Sequence, residues 1–256
     1  MTQIPGPAGF LHIDDGGLGG MPVVFVHSFA GSTAHWAAQL THLRKTRRAV
    51  AIDLRGHGQS DSPTRDDYAV QSLAGDITAV TDWLKFQRFV LVGHSMGGSA
   101  TLAYAGAHPE RVAGLVLVGT PGKIPVEQAR QVMSSLKSDY ENVMASYWNR
   151  LLTNAKPQVL AQIQGERERL PRAVSLSLIQ ATFDFDPVPV LKRYRGPKLA
   201  VITPDQDNSY DLHKLVPDLP HKVVTGTSHW LHMDKPGEFN RILDEFLTVT
   251  TRTLAD

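Results

Sequence analysis

The chain has no cysteine among its 256 residues. This excludes a disulfide framework, a thiolate nucleophile and a metal site held by cysteine. Long apolar runs are also missing, because no stretch approaches the roughly 20 residues of a membrane-spanning helix. The first nine residues contain two prolines and lack the apolar segment of a signal peptide. We therefore expect a soluble, cytoplasmic protein that does not insert into membranes.

The chain also lacks an excess of charge of either sign. It has 26 Lys and Arg residues against 25 Asp and Glu residues, which gives a formal net charge of +1. A balanced surface offers no electrostatic attraction for nucleic acid, and no basic amphipathic segment indicates membrane binding. The expected partner is therefore a small molecule, whereas composition does not determine the oligomeric state. The length is enough to bury one large core.

Short apolar runs alternate with helical patterns along the chain. Strands are predicted at 10–13, 22–26, 49–52, 89–92, 114–118, 199–202 and 222–224, with a glycine-rich turn at 14–20. Helices are predicted at 33–43, 70–84, 99–107 and 236–249. This alternation predicts an α/β fold with a mostly parallel sheet covered on both faces. In such sheets ligands bind at the carboxyl ends of the strands.

The most informative motif is Gly93-His94-Ser95-Met96-Gly97, which lies between a predicted buried strand and a predicted helix. A sharp turn at this point would strain the serine backbone and bring neighbouring backbone close, which the glycines permit. The serine hydroxyl would stand at the mouth of the sheet, where the helix N-terminus favours developing negative charge. Ser95 is therefore the candidate nucleophile.

This strand–turn–helix arrangement resembles the nucleophile elbow of the α/β-hydrolase superfamily, and the resemblance extends over nearly the whole chain. It implies a core formed by residues 1–121 and 196–256. Residues 122–195 lack a convincing strand and carry apolar residues at helical spacing, and the resemblance implies that they form a helical cap.

A serine nucleophile needs a base, and the base needs an orienting acid. The order of the triad in the family predicts His229 as the base, because its loop, followed by Asp234 and Pro236, is similar to the family pattern. His232 fits the spacing less well and is expected to be a packing residue. A metal site formed by His229 and His232 is a remote alternative, since no other residues have matching ligand spacing.

Two aspartates are candidates for the acid. The family pattern has a glycine after the strand and the acid three residues later, which favours Asp207. Pro204 stands where that glycine is usual, so Asp205 remains open. Either aspartate could instead be an ordinary turn residue.

The resemblance also implies an oxyanion hole formed by the backbone N–H groups of Phe29 and Met96. Ser28 replaces the usual glycine, and we interpret this as a tolerated change. Together with Trp148 and Trp230, Ser28 is a candidate for the substrate pocket.

Three histidines near these motifs are interpreted as structural. His27 is expected to stabilise the loop that carries Phe29. His57 belongs to an Asp-x-Arg-Gly-His-Gly loop, which we expect to be stabilised by its own hydrogen bonds. His94 adjoins the serine, but successive residues on a tight turn point apart.

The predicted function is a serine hydrolase that cleaves a carboxylic ester or lactone of a small to medium, fairly apolar substrate, with no metal or organic cofactor. Haloalkane dehalogenases and epoxide hydrolases of this fold use an aspartate at the elbow, whereas this chain has Ser95. The alternatives are a cofactor-free haloperoxidase or perhydrolase, a C–C bond hydrolase and a slow-turnover ligand receptor of the same fold.

Overall fold

A single eight-stranded sheet organises the chain in the computed structural model, which describes residues 2–253 and the side chains of residues 2–250. The strand order is β1-β2-β4-β3-β5-β6-β7-β8. The strands are β1 (Thr2–Gly6), β2 (Gly9–Gly16), β3 (Val23–Val26), β4 (Ala49–Ile52), β5 (Phe89–His94), β6 (Val112–Val118), β7 (Lys198–Ile202) and β8 (His221–Val223). β2 runs antiparallel to β1 and β4, and the remaining neighbours are parallel. The predicted α/β architecture with a mostly parallel sheet is confirmed.

The central strands are apolar along their whole length because helices cover both of their faces. Every residue of β3, β4, β5 and β6 is buried. The register pairs Val26 with Gly93, and His94 with Val118. The carboxyl ends of β3, β5 and β6 therefore lie side by side, and the loops that follow them meet at one edge of the sheet.

Eleven α-helices are present in residues 2–253, together with a short 3-10 helix at Thr33–Trp36. They are α1 (Ala37–Leu43), α2 (Val70–Trp83), α3 (Met96–Ala107), α4 (Val126–Ser138), α5 (Tyr140–Leu151), α6 (Pro157–Arg167), α7 (Arg172–Asp184), α8 (Pro187–Arg193), α9 (Leu212–Leu215), α10 (Leu231–Asp234) and α11 (Pro236–Thr253). Within the described part of the chain, none of the helices combines the length and apolarity that crossing a membrane requires.

The two faces of the sheet carry separate apolar cores. α1 and α11 pack on one face through the large buried side chains of Trp36, Leu40, Phe239 and Leu243. α2 and α3 pack on the other face, and this core continues into the helices between β6 and β7. The sheet therefore forms the middle layer of three.

Five helices, α4 to α8, connect β6 to β7. The apolar pattern predicted across residues 136–151 is divided, because α4 ends at Ser138 and α5 begins at Tyr140. α8 packs directly on α3, where Val190 Cγ1 lies 2.8 Å from the position that a Cβ on Gly106 would occupy. The last helix of this insertion thus contacts the body of the protein.

The amino-terminal hairpin differs most from the sequence prediction. β1 was not predicted, and β2 extends to Gly16, into the residues expected to form a turn. Arg44 and Arg48 form ion pairs with Asp14 and Asp15, so these acidic residues are accommodated within a strand.

Candidate active site

Ser95 occupies a strained turn between β5 and α3. Its backbone has φ 53° and ψ −120°, a conformation that costs on the order of 1–3 kcal/mol for a residue with a side chain. The Ser95 N–H donates to the carbonyl oxygen of Val118 at 2.8 Å, which fixes the turn to the end of β6. The turn holds the serine at the carboxyl edge of the sheet.

The glycines after Ser95 allow α3 to begin against the neighbouring loops. A Cβ on Gly97 would overlap the carbonyl oxygen of His27, and a Cβ on Gly98 would overlap the hydroxyl of Thr120. This close approach brings the start of α3 next to the loop that follows β3. Glycine is therefore required here for space.

Two backbone N–H groups in this region are available as donors. The N–H of Phe29 has no acceptor among the described residues. Met96 is the first residue of α3, so its N–H has no partner within the helix. Phe29 lies in the loop after β3 and Met96 at the start of α3, and these two segments approach each other closely at Gly97. An oxyanion hole requires two N–H donors from neighbouring segments of this kind.

The His229 ring lies over Gly119 at the end of β6. A Cβ on Gly119, which has φ 52°, would lie 2.8 Å from His229 Cε1. Because the N–H of Ser95 is bonded to Val118, the His229 ring and Ser95 are held at the same strand end. His229 Nε2 is buried and has no hydrogen-bond partner among the described residues. This nitrogen is free to accept a proton.

The backbone of His229 is held from two sides. Its N–H donates to the carbonyl oxygen of Leu151, the last residue of α5, at 2.9 Å. Its own carbonyl oxygen accepts a hydrogen bond from His94 Nε2 at 3.0 Å. The sequence interpretation of His94 as a mere neighbour missed this contact, since nothing in the elbow motif identifies its partner.

Burial lowers the pKa of His229 to about 4. The charge of Asp205 opposes this effect and raises the pKa, whereas the charge of Arg150 lowers it. The imidazole is therefore neutral at pH 7, as a general base must be.

Asp207, the acid that the sequence favoured, is not brought to His229. Its carboxylate pairs with Lys214 Nζ at 2.6 Å, and 73% of its side chain is exposed. This hydrogen bond lowers the pKa of Asp207. In the loop after β7 the N–H of Gln206 donates to the carbonyl oxygen of Thr203, and Asp207 follows this turn and pairs with Lys214.

Asp205 is the aspartate of this loop whose charge acts on His229. Its side chain is exposed, and no hydrogen bond joins it to the His229 ring in the described chain. The two open sequence alternatives therefore differ in the structure, because Asp207 pairs with Lys214 and the charge of Asp205 acts on His229.

The remaining histidines have structural contacts. His232 is fully buried, and its ring stacks on Trp36 with the ring centroids 4.2 Å apart. His27 Nδ1 donates to Ser28 O at 2.7 Å, while Nε2 accepts from the N–H of Leu54 at 3.0 Å. These two bonds fix the neutral tautomer of His27 and brace the oxyanion loop.

The Asp-x-Arg-Gly-His-Gly loop is held both by its own residues and by neighbouring segments. Asp53 accepts hydrogen bonds from His12 and from the backbone of Thr33 and Gln59. His57 donates through Nδ1 to Arg55 O at 3.0 Å. The expectation that the loop stabilises itself therefore accounts for only part of its contacts.

Trp148 of α5 covers the region between the oxyanion loop and the base loop. Its ring stacks on Phe29 at 5.7 Å and on Trp230 at 6.0 Å, with interplanar angles of 18° and 19°. Ser28 is buried, and its hydroxyl faces the carbonyl of Phe29. Of the three candidate pocket residues, the two tryptophans therefore contact one another beside the site.

Sequence reasoning missed the contact of Arg167 with Trp148. The Cζ atom of Arg167 lies 5.7 Å from the Trp148 ring centroid. This position carries no motif, so only the packing of α5 and α6 identifies it. Among the described side chains, no group of three or more His, Asp or Glu residues is arranged to hold a metal ion.

Comparisons with known proteins agree with this fold. Residues 21–155 match the family described as alpha/beta hydrolase fold. A candidate 2-succinyl-6-hydroxy-2,4-cyclohexadiene-1-carboxylate synthase from Bacillus subtilis (strain 168) is 29% identical, covering 92% of this chain and 93% of that protein. A 2-hydroxy-6-oxo-2,4-heptadienoate hydrolase from Pseudomonas putida is 40% identical, but over 40% of this chain and 38% of that protein.

Among solved structures, the enol-lactonase from Burkholderia xenovorans LB400 superposes with a TM-score of 0.82 at 23% identity. The match covers 96% of this chain and all of the lactonase chain, and at this identity it supports the fold alone. The family match spans more than half of the sequence and includes the serine turn. The chain belongs to the α/β hydrolase fold family.

Proposed function

We propose that this protein is a serine hydrolase that cleaves a carboxylic ester or lactone of a small to medium, fairly apolar substrate through an acyl-enzyme. The observation that carries the proposal is that Ser95 and His229 are both held at the end of β6, through Val118 and Gly119. Ser95 has the strained backbone of a nucleophile elbow, and the buried Nε2 of His229 has no partner among the described residues. A neutral imidazole near a half-buried serine is the minimum that acyl transfer requires.

In the proposed reaction, Ser95 Oγ bonds to the carbonyl carbon while its proton passes to His229 Nε2. The carbonyl oxygen becomes an oxyanion that accepts hydrogen bonds from the N–H groups of Phe29 and Met96. Collapse of this intermediate breaks the C–O bond, and the imidazolium returns the proton to the leaving alkoxide. A water molecule then attacks the acyl-enzyme and gives its proton to Nε2. The acid departs, and Ser95 recovers its hydroxyl.

Asp205 is proposed as the acid that stabilises the imidazolium. Its support is electrostatic, since its carboxylate raises the pKa of His229. The ion pair of Asp207 with Lys214 argues against the alternative.

Residues 122–195 are proposed as the cap, set on a core of residues 1–121 and 196–256. The contacts of α5 support this assignment, because Trp148 stacks on the oxyanion loop and Leu151 accepts the N–H of His229. Trp148 and Trp230 would then form the apolar wall of the pocket.

The first test is the hydrolysis of p-nitrophenyl esters from acetate to octanoate by the native enzyme and by Ser95→Ala. We expect turnover by the native enzyme and a loss of at least about a thousandfold in kcat in Ser95→Ala. Ser99→Ala is the matched control, because Ser99 is a buried serine of the same helix and should leave turnover unchanged. Equal turnover by Ser95→Ala would contradict the proposal.

C–C bond hydrolysis is the second candidate, favoured by the similarity to the heptadienoate hydrolase over residues that make up 40% of this chain. Ring-cleavage dienoates are strongly coloured, so their consumption is followed directly by absorbance. Bleaching of a dienoate with no hydrolysis of any ester would replace the ester proposal with this one.

A further inference from the structure

We propose that Glu166 of helix α6 is a positioning residue for the oxyanion hole, because its carboxylate holds the loop after β3 and thereby directs the Phe29 N–H. The inference rests on the proposed function and deepens it. In this role Glu166 acts through Ser32 and His35 and contacts no reacting atom. The helices between β6 and β7 would then contribute to the chemical step besides covering the site.

The Glu166 carboxylate joins α6 to the segment after β3 through both of its oxygen atoms. Oε1 accepts a hydrogen bond from Ser32 Oγ at 3.2 Å, and Oε2 lies 2.6 Å from His35 Nε2. Gln162, one turn earlier in α6, donates to Oε1 at 3.1 Å and orients the carboxylate. The side chain of His35 is 1% exposed and that of Glu166 is 17% exposed, so water competes little for these bonds.

These contacts keep the Glu166 carboxylate ionised. Burial raises the pKa of Glu166, but the contact with His35 and the hydrogen bonds from Gln162 and Ser32 outweigh burial and leave the pKa below its ordinary value. An ionised carboxylate only accepts hydrogen bonds, so His35 carries a hydrogen on Nε2. Hydrogen bonds to an ionised group are stronger than those between neutral groups.

The backbone directly after Phe29 is strained. Ala30 has φ 54°, a left-handed conformation that a residue with a side chain keeps only where its surroundings enforce it. The N–H of Gly31 donates to Ser28 O at 3.0 Å and closes a tight turn around Phe29. The direction of the Phe29 N–H therefore depends on a conformation that the loop does not favour by itself.

The partners of Glu166 support this turn from its outer side. The His35 ring lies against Gly31, because a Cβ on Gly31 would be 2.7 Å from His35 Cε1. Ser32 Oγ also accepts the N–H of Ala34 and so caps the short 3-10 helix. Gly31, Ser32 and Glu166 all line a cavity of about 520 Å³. On this side the loop is therefore held by hydrogen bonds and the His35 contact more than by dense packing.

The helix that carries Glu166 is fixed at its other end to the loop of the base. α6 begins after Lys156, whose N–H donates to Asp234 Oδ1 at 2.8 Å. Asp234 is buried, and its Oδ2 accepts the N–H of Ser228, the residue before His229, at 2.8 Å. One helix thus connects the loop of the base with the loop that carries an oxyanion-hole donor, and Glu166 projects from a rigid element.

The binding test compares a trifluoromethyl ketone with the methyl ketone of the same alkyl chain. Ser95 Oγ bonds to the carbonyl carbon of the trifluoromethyl ketone, its proton passes to His229, and the carbonyl oxygen becomes an oxyanion that needs the two N–H donors. The methyl ketone binds as a neutral ground-state ligand. We expect Glu166→Ala to weaken inhibition by the trifluoromethyl ketone about tenfold and to change that by the methyl ketone less than about twofold.

Three further variants separate positioning from other effects. Glu166→Gln keeps the shape and one accepting oxygen, so it should give an intermediate ratio, and it decides the question if Glu166→Ala does not fold. Glu168→Gln removes an exposed carboxylate two residues along the chain. Ser177→Ala removes a 2.8 Å hydrogen bond from α7 to Asp66, which lies between β4 and α2. These last two variants should keep the native ratio, with circular dichroism as the control for folding.

The kinetic readout is kcat and KM for the best p-nitrophenyl ester. A misdirected Phe29 N–H lowers kcat by about the same factor and leaves KM nearly unchanged, because the hole binds the transition state more strongly than the substrate. A contact that only closes the pocket would instead raise KM and weaken both ketones equally, and that result overturns the inference. A native ratio in Glu166→Ala, or in Glu166→Gln where Glu166→Ala does not fold, also overturns it.

Failure of the proposed function gives a different pattern. A native protein that binds both ketones equally forms no oxyanion, which contradicts the proposed function and this inference together. A native protein that prefers the trifluoromethyl ketone but hydrolyses no ester contradicts the ester chemistry alone. Loss of that preference in Glu166→Ala would then still support the positioning role.

Discussion

Ser95 and His229 are separated by 134 residues, yet both are fixed to the end of β6. Ser95 is held by a hydrogen bond to Val118, and the His229 ring lies against Gly119. Hydrogen bonds from His94 and to Leu151 then position the backbone of the base. The proposed chemistry thus depends on contacts that cannot be found by searching the sequence for motifs.

The acid is tested by comparing Asp205→Asn with Asp207→Asn. We expect Asp205→Asn to lower kcat by about a hundredfold or more, because the imidazolium loses its stabilising charge. Asp207→Asn should stay close to the native rate, since Asp207 pairs with Lys214. The measurement is kcat for the best p-nitrophenyl ester at pH 7, with circular dichroism as the control for folding. A larger loss in Asp207→Asn would return the role to Asp207.

The pH profile tests the environment of His229. Burial lowers its pKa to about 4, so the base remains neutral and active until the pH falls toward that value. We expect the acid limb of kcat/KM for a neutral ester to have its midpoint well below 6.5, the ordinary value for histidine. Brief pH-jump assays separate this effect from unfolding. A midpoint at or above 6.5 would show that His229 is not buried in the working enzyme.

The sequence predicts individual site residues unevenly. Ser95 and His229 follow from short motifs, because a strained turn and a loop before the last helix leave local signals. The choice between Asp205 and Asp207 does not follow from a motif, because the positions of their side chains depend on how the loop after β7 folds. In that loop the Gln206 N–H bonds to Thr203 O, and Lys214 forms an ion pair with Asp207. The contact of Arg167 with Trp148 is recognisable only after α5 and α6 are packed.

At the scale of the elements, the turn from β5 to α3 depends on the absence of a side chain at Gly97. We expect Gly97→Ala to abolish turnover or folding, because the new Cβ would overlap the carbonyl oxygen of His27. Gly165→Ala is the matched control, since nothing lies within 4 Å of a Cβ there. In the interior of α6 it should raise the free energy of unfolding by about 0.5–1 kcal/mol. Urea unfolding and ester turnover measure both variants, and an active, stable Gly97→Ala would contradict the close approach.

Elements were predicted well where burial is complete. The prediction for β4 has the observed bounds, and the prediction for α2 ends one residue late, because uniform apolar runs and a strong helical period are local signals. β1 was missed because it contains Pro5 and pairs only with β2 at the edge of the sheet. The division between α4 and α5 at Asp139 interrupts a continuous apolar pattern, so its position depends on tertiary packing.

For the whole molecule, a set of buried neutral histidines couples folding to pH. Burial lowers the pKa of five histidines below the ordinary value: His27, His57, His94, His229 and His232. Below pH 6.5 the unfolded chain binds protons that the folded chain does not, so stability falls as the pH decreases toward about 4. Between pH 6.5 and 5.5 each histidine whose folded pKa is about 4 or lower removes about 1 kcal/mol from the free energy of unfolding.

Urea unfolding at several pH values between 5.5 and 7.5 checks this expectation. His57→Gln should reduce the pH dependence by about one proton, since His57 is one of the five groups. A free energy of unfolding that stays constant over this range would mean that the histidines are already protonated or exposed in the folded protein.

The most direct test of the central claim is the mass of the protein after treatment with a fluorophosphonate, with the adduct then located by peptide mapping. A fluorophosphonate phosphonylates a serine only where a base removes its proton and an oxyanion hole accepts the charge. We predict one adduct on the peptide that contains Ser95, absent in Ser95→Ala and greatly slowed in His229→Gln. An unlabelled native protein, or an adduct that persists in Ser95→Ala, would contradict the assignment of Ser95 as an activated nucleophile.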